Sequence, residues 1–206
     1  MTRFSIQAAV LAVLLSSSGC IMFKSQAGPG ESSAPGIDRR EAERAIARMQ
    51  GYRFGDDREP LTDVENIVQR AQFQTADRQL VASLLAEQLE NVLSTNDAKR
   101  FMCRQLAIIG TPNEVPALVA SLRDPKLSDM ARYALEPMED RGVDEVLIAT
   151  LPTVGPEIQV GIINTLAVRK SYVALDTLRG LRNSPDPSVA EAAKHAVGRI
   201  EGMIIP

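Results

Sequence analysis

From about Asp97 to the C-terminus, apolar and polar positions alternate with helical spacing, in blocks that recur every 29 to 31 positions. The recurring mark is an aliphatic residue after a run of small or aliphatic ones: Leu106, Leu135, Leu166 and Val197. A period of that length predicts stacked helix pairs, because one pair cannot bury its apolar face alone and must use its neighbours. Three full units follow one another: "AKRFMCRQLAIIGTPNEVPALVASLRD" from Ala98, "LSDMARYALEPMEDRGVDEVLIATLPT" from Leu127 and "EIQVGIINTLAVRKSYVALDTLRGLRN" from Glu157. A half-unit, "PSVAEAAKHAVGRIEG", runs from Pro187 to Gly202.

Each unit reads as a helix, a short break and a second helix. Breaks are expected at Gly110-Thr111-Pro112, Asp140-Arg141-Gly142 and Arg169-Lys170-Ser171, where stop and start signals cluster. Joints between units fall at Arg123-Asp124-Pro125, Pro152–Pro156 and Asn183–Pro187. In the last helix Val189, Ala192, Ala193, Ala196, Val197 and Ile200 share one face, and Glu191, Lys194 and Arg199 lie off it. Such a polar outer side keeps the open end of a stack soluble.

Ahead of the repeats the pattern predicts helices at about Asp38–Gln50, Thr62–Gln72 and Ala76–Leu93. Asp38 and Thr75 are suitable N-caps and Gly51 a suitable stop. Ala42, Ala45, Ile46 and Met49 form one apolar face, and Val64, Ile67, Val68 and Ala71 another. Leu80, Val81, Leu84, Leu85, Leu89, Val92 and Leu93 form a wider one, which predicts burial on two sides. The second and third helices read as a degenerate first repeat capped by the Asp38 helix. Tyr52–Pro60 is expected to be a loop.

"FMCRQLAIIG" at Phe101–Gly110 and "MARYALEPM" at Met130–Met138 resemble the HEAT family, in particular the short bacterial repeats shared with phycobilin lyases. The resemblance covers roughly Asp97 to Gly202 and implies an all-α fold, a right-handed α-solenoid of stacked antiparallel helix pairs. It also implies an envelope or secreted location, and it is nearly silent on activity. In such stacks the second helices line the concave side. Here their polar positions are Glu114, Ser121, Arg123, Asp144, Thr150, Tyr172, Asp176, Arg179 and Arg182. Tyr172, Asp176, Arg179, Arg182, Asp144 and Arg123 are the expected partner contacts, since Tyr and Arg dominate interface hot spots. The change from acidic Asp144-Glu145 to basic Arg179 and Arg182 would orient a partner. The same residues serve equally as solvated helix faces.

The N-terminus adds an address. Arg3, an apolar run from Ala8 to Leu15 and then Ser16–Gly19 form a secretory signal pattern, followed at once by Cys20. The arrangement resembles a bacterial lipoprotein signal, in which the cysteine is acylated. It departs from that pattern at Ser17, where the family has leucine. Cleavage near Gly19 without acylation, or retention of uncharged Phe4–Phe23 as an anchor, are the alternatives. Ser25–Gly36 is rich in Gly, Ser and Pro, as a flexible leash would be. Ile21 after the cysteine implies the outer membrane in a diderm cell. The expected divisions are therefore 1–19 signal peptide, 20–36 lipid anchor and linker, 37–95 capping helices and degenerate repeat, and 96–206 repeats with a C-terminal cap.

Composition narrows the chemistry. The net charge is −3, or −4 without Arg3, which disfavours a nucleic-acid partner. Aromatic residues are 4% and tryptophan is absent, which suits close-packed helices. His195 is the only histidine. The di-iron deoxyhypusine hydroxylases that the architecture resembles need several His-Glu pairs, so no such metal site is expected. Cys103, the thiol left if Cys20 is acylated, is expected to be a small core residue. A redox or nucleophilic role would require a base, and none lies near it in sequence. Glu136, Glu139, Asp140, Asp144 and Glu145 straddle a turn without calcium-loop spacing, and solvated turn charges are the plainer account. The sequence thus leads to a noncatalytic adaptor of the bacterial envelope that binds a protein along its concave face, with no cofactor and no metal. An enzyme or ligand-handling protein using the groove as a pocket is the alternative.

Overall fold

The computed structural model describes residues 36–202, which fall within one compact unit, Pro35–Pro206. The expected signal peptide, Cys20 and nearly all of the leash lie outside the described residues. Those described are all-helical, with ten α-helices, three short 3₁₀ turns and no strand. The helices are α1 (Arg39–Met49), α2 (Glu59–Ala71), α3 (Thr75–Glu90), α4 (Asn96–Ile109) and α5 (Val115–Leu122), then α6 (Ser128–Leu135), α7 (Arg141–Thr150), α8 (Pro156–Val168), α9 (Leu175–Leu181) and α10 (Pro187–Glu201). None is long and apolar enough to cross a membrane.

The start of α1 follows the expected chemistry, with the Asp38 carboxylate accepting from the Glu41 N–H at 2.9 Å. Its apolar face, Ala42, Ala45, Ile46 and Met49, is buried against α2 and α3. Helix α2 begins earlier than Thr62, because Pro60 in its first turn has the φ a helix start needs and no N–H to lose. Thr75 is the first residue of α3 rather than its cap, and Gln74 takes the cap position.

The far end of α3 departs most from expectation. It stops at Glu90, and Asn91 is extended with ψ 124°. The Asn91 Oδ1 accepts from the Leu93 N–H at 2.9 Å, and Ser94 Oγ donates to the Gln88 carbonyl at 2.9 Å. These side-chain bonds offer the backbone an alternative to another helical turn. Val92 and Leu93 are consequently 90% and 75% exposed instead of extending the buried face.

Beyond α3 the helices alternate between two sets of neighbours. On one side α4 packs on α6, α6 on α8 and α8 on α10. On the other, α3 lies beside α5, α5 beside α7, and α7 beside the 3₁₀ turn at Tyr172–Ala174 that leads into α9. Leu106, Leu135 and Leu166 are fully buried and Val197 nearly so, and the six-residue face of α10 is buried throughout. The breaks are held by caps. Thr111 and Glu114 form a reciprocal capping box, Asp140 accepts from the Gly142 N–H at 2.7 Å, and Asp186 caps α10 through the Ser188 and Val189 N–H groups.

Arginines tie neighbouring pairs together. Arg78 of α3 donates to the Ile109 and Gly110 carbonyls at 2.8 Å each, closing the C-terminus of α4. Arg100 of α4 donates twice to the Lys126 carbonyl ahead of α6. Arg132 of α6 lies across Gly161 of α8, and Arg169 serves the α6–α7 turn. The Arg78, Arg100 and Arg169 bonds satisfy carbonyls that the end of a helix or a turn leaves open.

Candidate functional site

The break between α8 and α9 is built by its backbone. Lys170 sits in the left-handed region, with φ 57°. Its N–H donates to the Ala167 carbonyl at 3.2 Å, and the Ser171 N–H to the Leu166 carbonyl at 3.0 Å. Those two bonds are the Schellman arrangement, which closes the end of α8 and usually places glycine where Lys170 stands. The turn then directs Arg169 inward and Tyr172 outward.

Arg169 is a buried guanidinium with its hydrogen bonds satisfied. Its Nε donates to Asp144 Oδ1 of α7 at 2.5 Å. Nη1 donates to the carbonyls of Leu135, Glu136 and Met138 at 3.0, 2.9 and 2.6 Å, and Nη2 to that of Asp140 at 2.9 Å. The carboxylate that looked like a groove contact is therefore spent within the fold, where it neutralises the cation that closes the α6–α7 turn. Asp140, as the cap of α7, is likewise engaged.

Beside this pair opens a cavity of about 380 Å³, walled by Glu136, Glu139, Arg141, Lys170, Ser171 and Tyr172 among others. The Ser171 hydroxyl is buried and has no hydrogen-bond partner among the described residues. A second cavity of about 660 Å³ adjoins it, sharing Pro137–Asp140 and extending to Arg78 and Ile108. Both are open rather than enclosed. Tyr172, Val173 and Ile108 along these rims are each more than half exposed.

The other expected contacts are not brought to this place. Arg179 donates to Asp176 at 2.9 Å and to Glu201 of α10 at 2.7 Å. The Glu201 hydrogen bond, then that of Asp176, holds its pKa above the usual arginine value. Arg123 and Arg182 are exposed and take no part in either cavity. Glu114, Ser121 and Thr150 are buried and bonded internally, to Thr111, the Ala117 carbonyl and the Val146 carbonyl. Only Asp144 and Tyr172 of the expected set line one cavity.

The remaining chemical groups are placed as follows. Cys103 is wholly buried in α4, and desolvation pushes its thiol pKa up to about 12. His195 is exposed on α10 and lies 3.0 Å from Glu191 one turn earlier. Among the described residues no group of three or more His, Cys, Asp or Glu side chains could hold a metal ion.

Sequence inspection missed Arg169. It reads there as a polar residue in a stop signal, whereas its partners stand 25 to 34 positions earlier in the chain. A charged residue just before a left-handed turn position was the only local sign.

No family model matches the chain, and no curated protein matches it. Among solved structures it is similar to the crystal structure of an engineered protein from the Northeast Structural Genomics Consortium, at 19% identity and a TM-score of 0.41, over 78% of this chain and 79% of that one. A likeness at that level carries no argument about function.

Proposed function

We propose that the chain is a noncatalytic protein-binding scaffold of the bacterial envelope, a HEAT-like right-handed α-solenoid tethered through lipid on Cys20. The succession of α4, α6, α8 and α10 on one side, with α3, α5 and α7 on the other, supports stacked pairs. One observation carries the binding role. Tyr172 and Val173 stand more than half exposed on the rim of the open cavity of about 380 Å³, just after a turn closed by the Lys170 and Ser171 backbone bonds. A rigid support with an exposed aromatic at its edge is what an interface anchor requires. An open trough suits a protein segment better than an enclosed small molecule.

A photo-crosslinking residue at position 172 tests this in cells, with positions 123 and 43 as exposed controls. One dominant adduct at 172, lost with Val173→Ser and absent from the controls, is the expected result. The same weak adducts at all three positions would refute a specific face. Fractionation of Cys20→Ala after a high-salt, alkaline wash that strips reversible electrostatic contacts tests the tether separately, and unchanged membrane association would refute acylation.

A further inference from the structure

A larger cavity lies elsewhere, toward the N-terminal end of the described residues. It is a cleft of about 810 Å³ between α1 and α2, with Arg40, Arg44 and Arg48 along one face of α1, and Asp63, Asn66 and Arg70 on α2. Its walls carry four arginines and three carboxylates, an excess of one positive charge, and the pairing is uneven. Asp38 is occupied with the first turn of α1, and Glu43 holds Arg39 at 3.0 Å. Glu41 holds Arg70 at 2.7 Å, while Asp63 and Glu59 hold Arg48 at 2.6 and 3.3 Å. Every carboxylate of the cleft has a partner. Arg40 and Arg44 have none among the described residues, and both are exposed on its wall.

Two unpaired like charges four residues apart on a helix repel one another, so in isolation the arrangement is unfavourable. An anion between them reverses that sign. Guanidinium groups present planar donor forks that match phosphate oxygens, and the exposed Asn66 amide is a further donor on the opposite wall. The cleft also has a fixed place relative to the chain. Asp38 forms part of its wall and stands two residues after Gly36, where the expected leash from Cys20 ends.

We propose that the α1–α2 cleft is a phosphate site in which Arg40 and Arg44 take the headgroup of an anionic phospholipid. The phosphate chemistry follows from the cleft alone, while the choice of a lipid source rests on the tethered arrangement proposed above. A second, reversible contact of this kind would strengthen a lipid anchor and fix the orientation of the helical unit on the bilayer.

The test uses unacylated chain from Ile21 onward, so that no anchor contributes; the buried core, from Ile37 to Ile200, lies within this chain, and its helix content by circular dichroism is checked first. Flotation is measured with vesicles of phosphatidylcholine alone and of equal parts phosphatidylcholine and phosphatidylglycerol. Binding to the anionic vesicles only is expected, weakened about tenfold or more by Arg40→Ala with Arg44→Ala. Arg39→Ala with Arg53→Ala, which removes two arginines outside the cleft, should cost far less. Arg40→Lys with Arg44→Lys keeps the charge but loses the fork, and should recover binding only in part. Equal losses for the two alanine pairs would reduce the effect to general charge and overturn the site. Saturable binding of glycerol phosphate without vesicle flotation would keep the phosphate site and overturn the lipid source. No binding of either probe would overturn both, leaving the Cys20 tether to be judged by its own fractionation experiment.

Discussion

Arg169 crosses the α6–α7 turn to pair with Asp144, and both side chains are almost wholly buried. The guanidinium also bonds four backbone carbonyls, so removing it leaves a buried carboxylate and open acceptors together. Breaking a buried pair from one side costs about 3–5 kcal/mol. Arg169→Ala is therefore expected to lose about that much stability in urea titration, and Asp144→Ala less, because Arg169 keeps its carbonyls. A loss below about 0.5 kcal/mol for Arg169→Ala, within the range of ordinary surface changes, would show that the turn does not depend on it.

Gly161 matters through what lies over it. A Cβ there would stand 2.5 Å from Nε of Arg132 and 2.8 Å from its Cζ. Glycine within a helix costs about 1 kcal/mol relative to alanine, so the substitution alone favours the helix. Against that, Arg132 would be pushed from its place over the Gly161 carbonyl and Thr165. Gly161→Ala is expected to destabilise the protein by about 1 kcal/mol when Arg132 is present. Combined with Arg132→Ala, the same change should stabilise by roughly 0.5–1 kcal/mol. A double-mutant cycle by thermal melting shows whether the sign reverses, and no reversal would sink the account.

Lys170 is the position where the fold accepts strain. The left-handed conformation brings a Cβ too near its own backbone, costing about 1 kcal/mol that glycine avoids. Lys170→Gly should raise the melting temperature by a few degrees, and Lys170→Ala should not. If both variants melt alike, the turn conformation is not what limits stability there.

Much of this architecture can be read along the chain, and what cannot shares a single cause. The buried face of α10 follows from spacing alone, since every residue on it is apolar and its neighbours are charged. The caps at Asp38, Thr111, Asp140 and Asp186 are equally local. Val92 and Leu93 misled because they continue the apolar period of α3, while Asn91 and Ser94 end the helix through side-chain bonds that periodicity does not register. The candidate site was the least legible. Asp144 and Arg179 look like free surface charges until partners 25 and 22 positions away are brought to them by the fold. Tyr172 could be singled out by residue type, but the cavities beside it arise from turns that lie far apart in sequence.

Burial of Cys103 has a consequence that depends on pH. Desolvation favours the neutral thiol and holds its pKa near 12, against an ordinary value of 9.0. Between those values the unfolded chain has released the proton and the folded one has kept it. Unfolding then becomes easier as pH rises, so the contribution is intact below pH 9 and lost progressively above it. One proton limits the slope to about 1.4 kcal/mol per pH unit. Denaturant titrations at a series of pH values above 9 should show a steeper decline for the native chain than for Cys103→Ala, because all other alkaline titrations are common to both. Native Cys103 should also resist alkylation at pH 8 and react only after unfolding. Parallel stability curves for the two chains, or rapid labelling of the folded protein, would mean that the thiol reaches solvent.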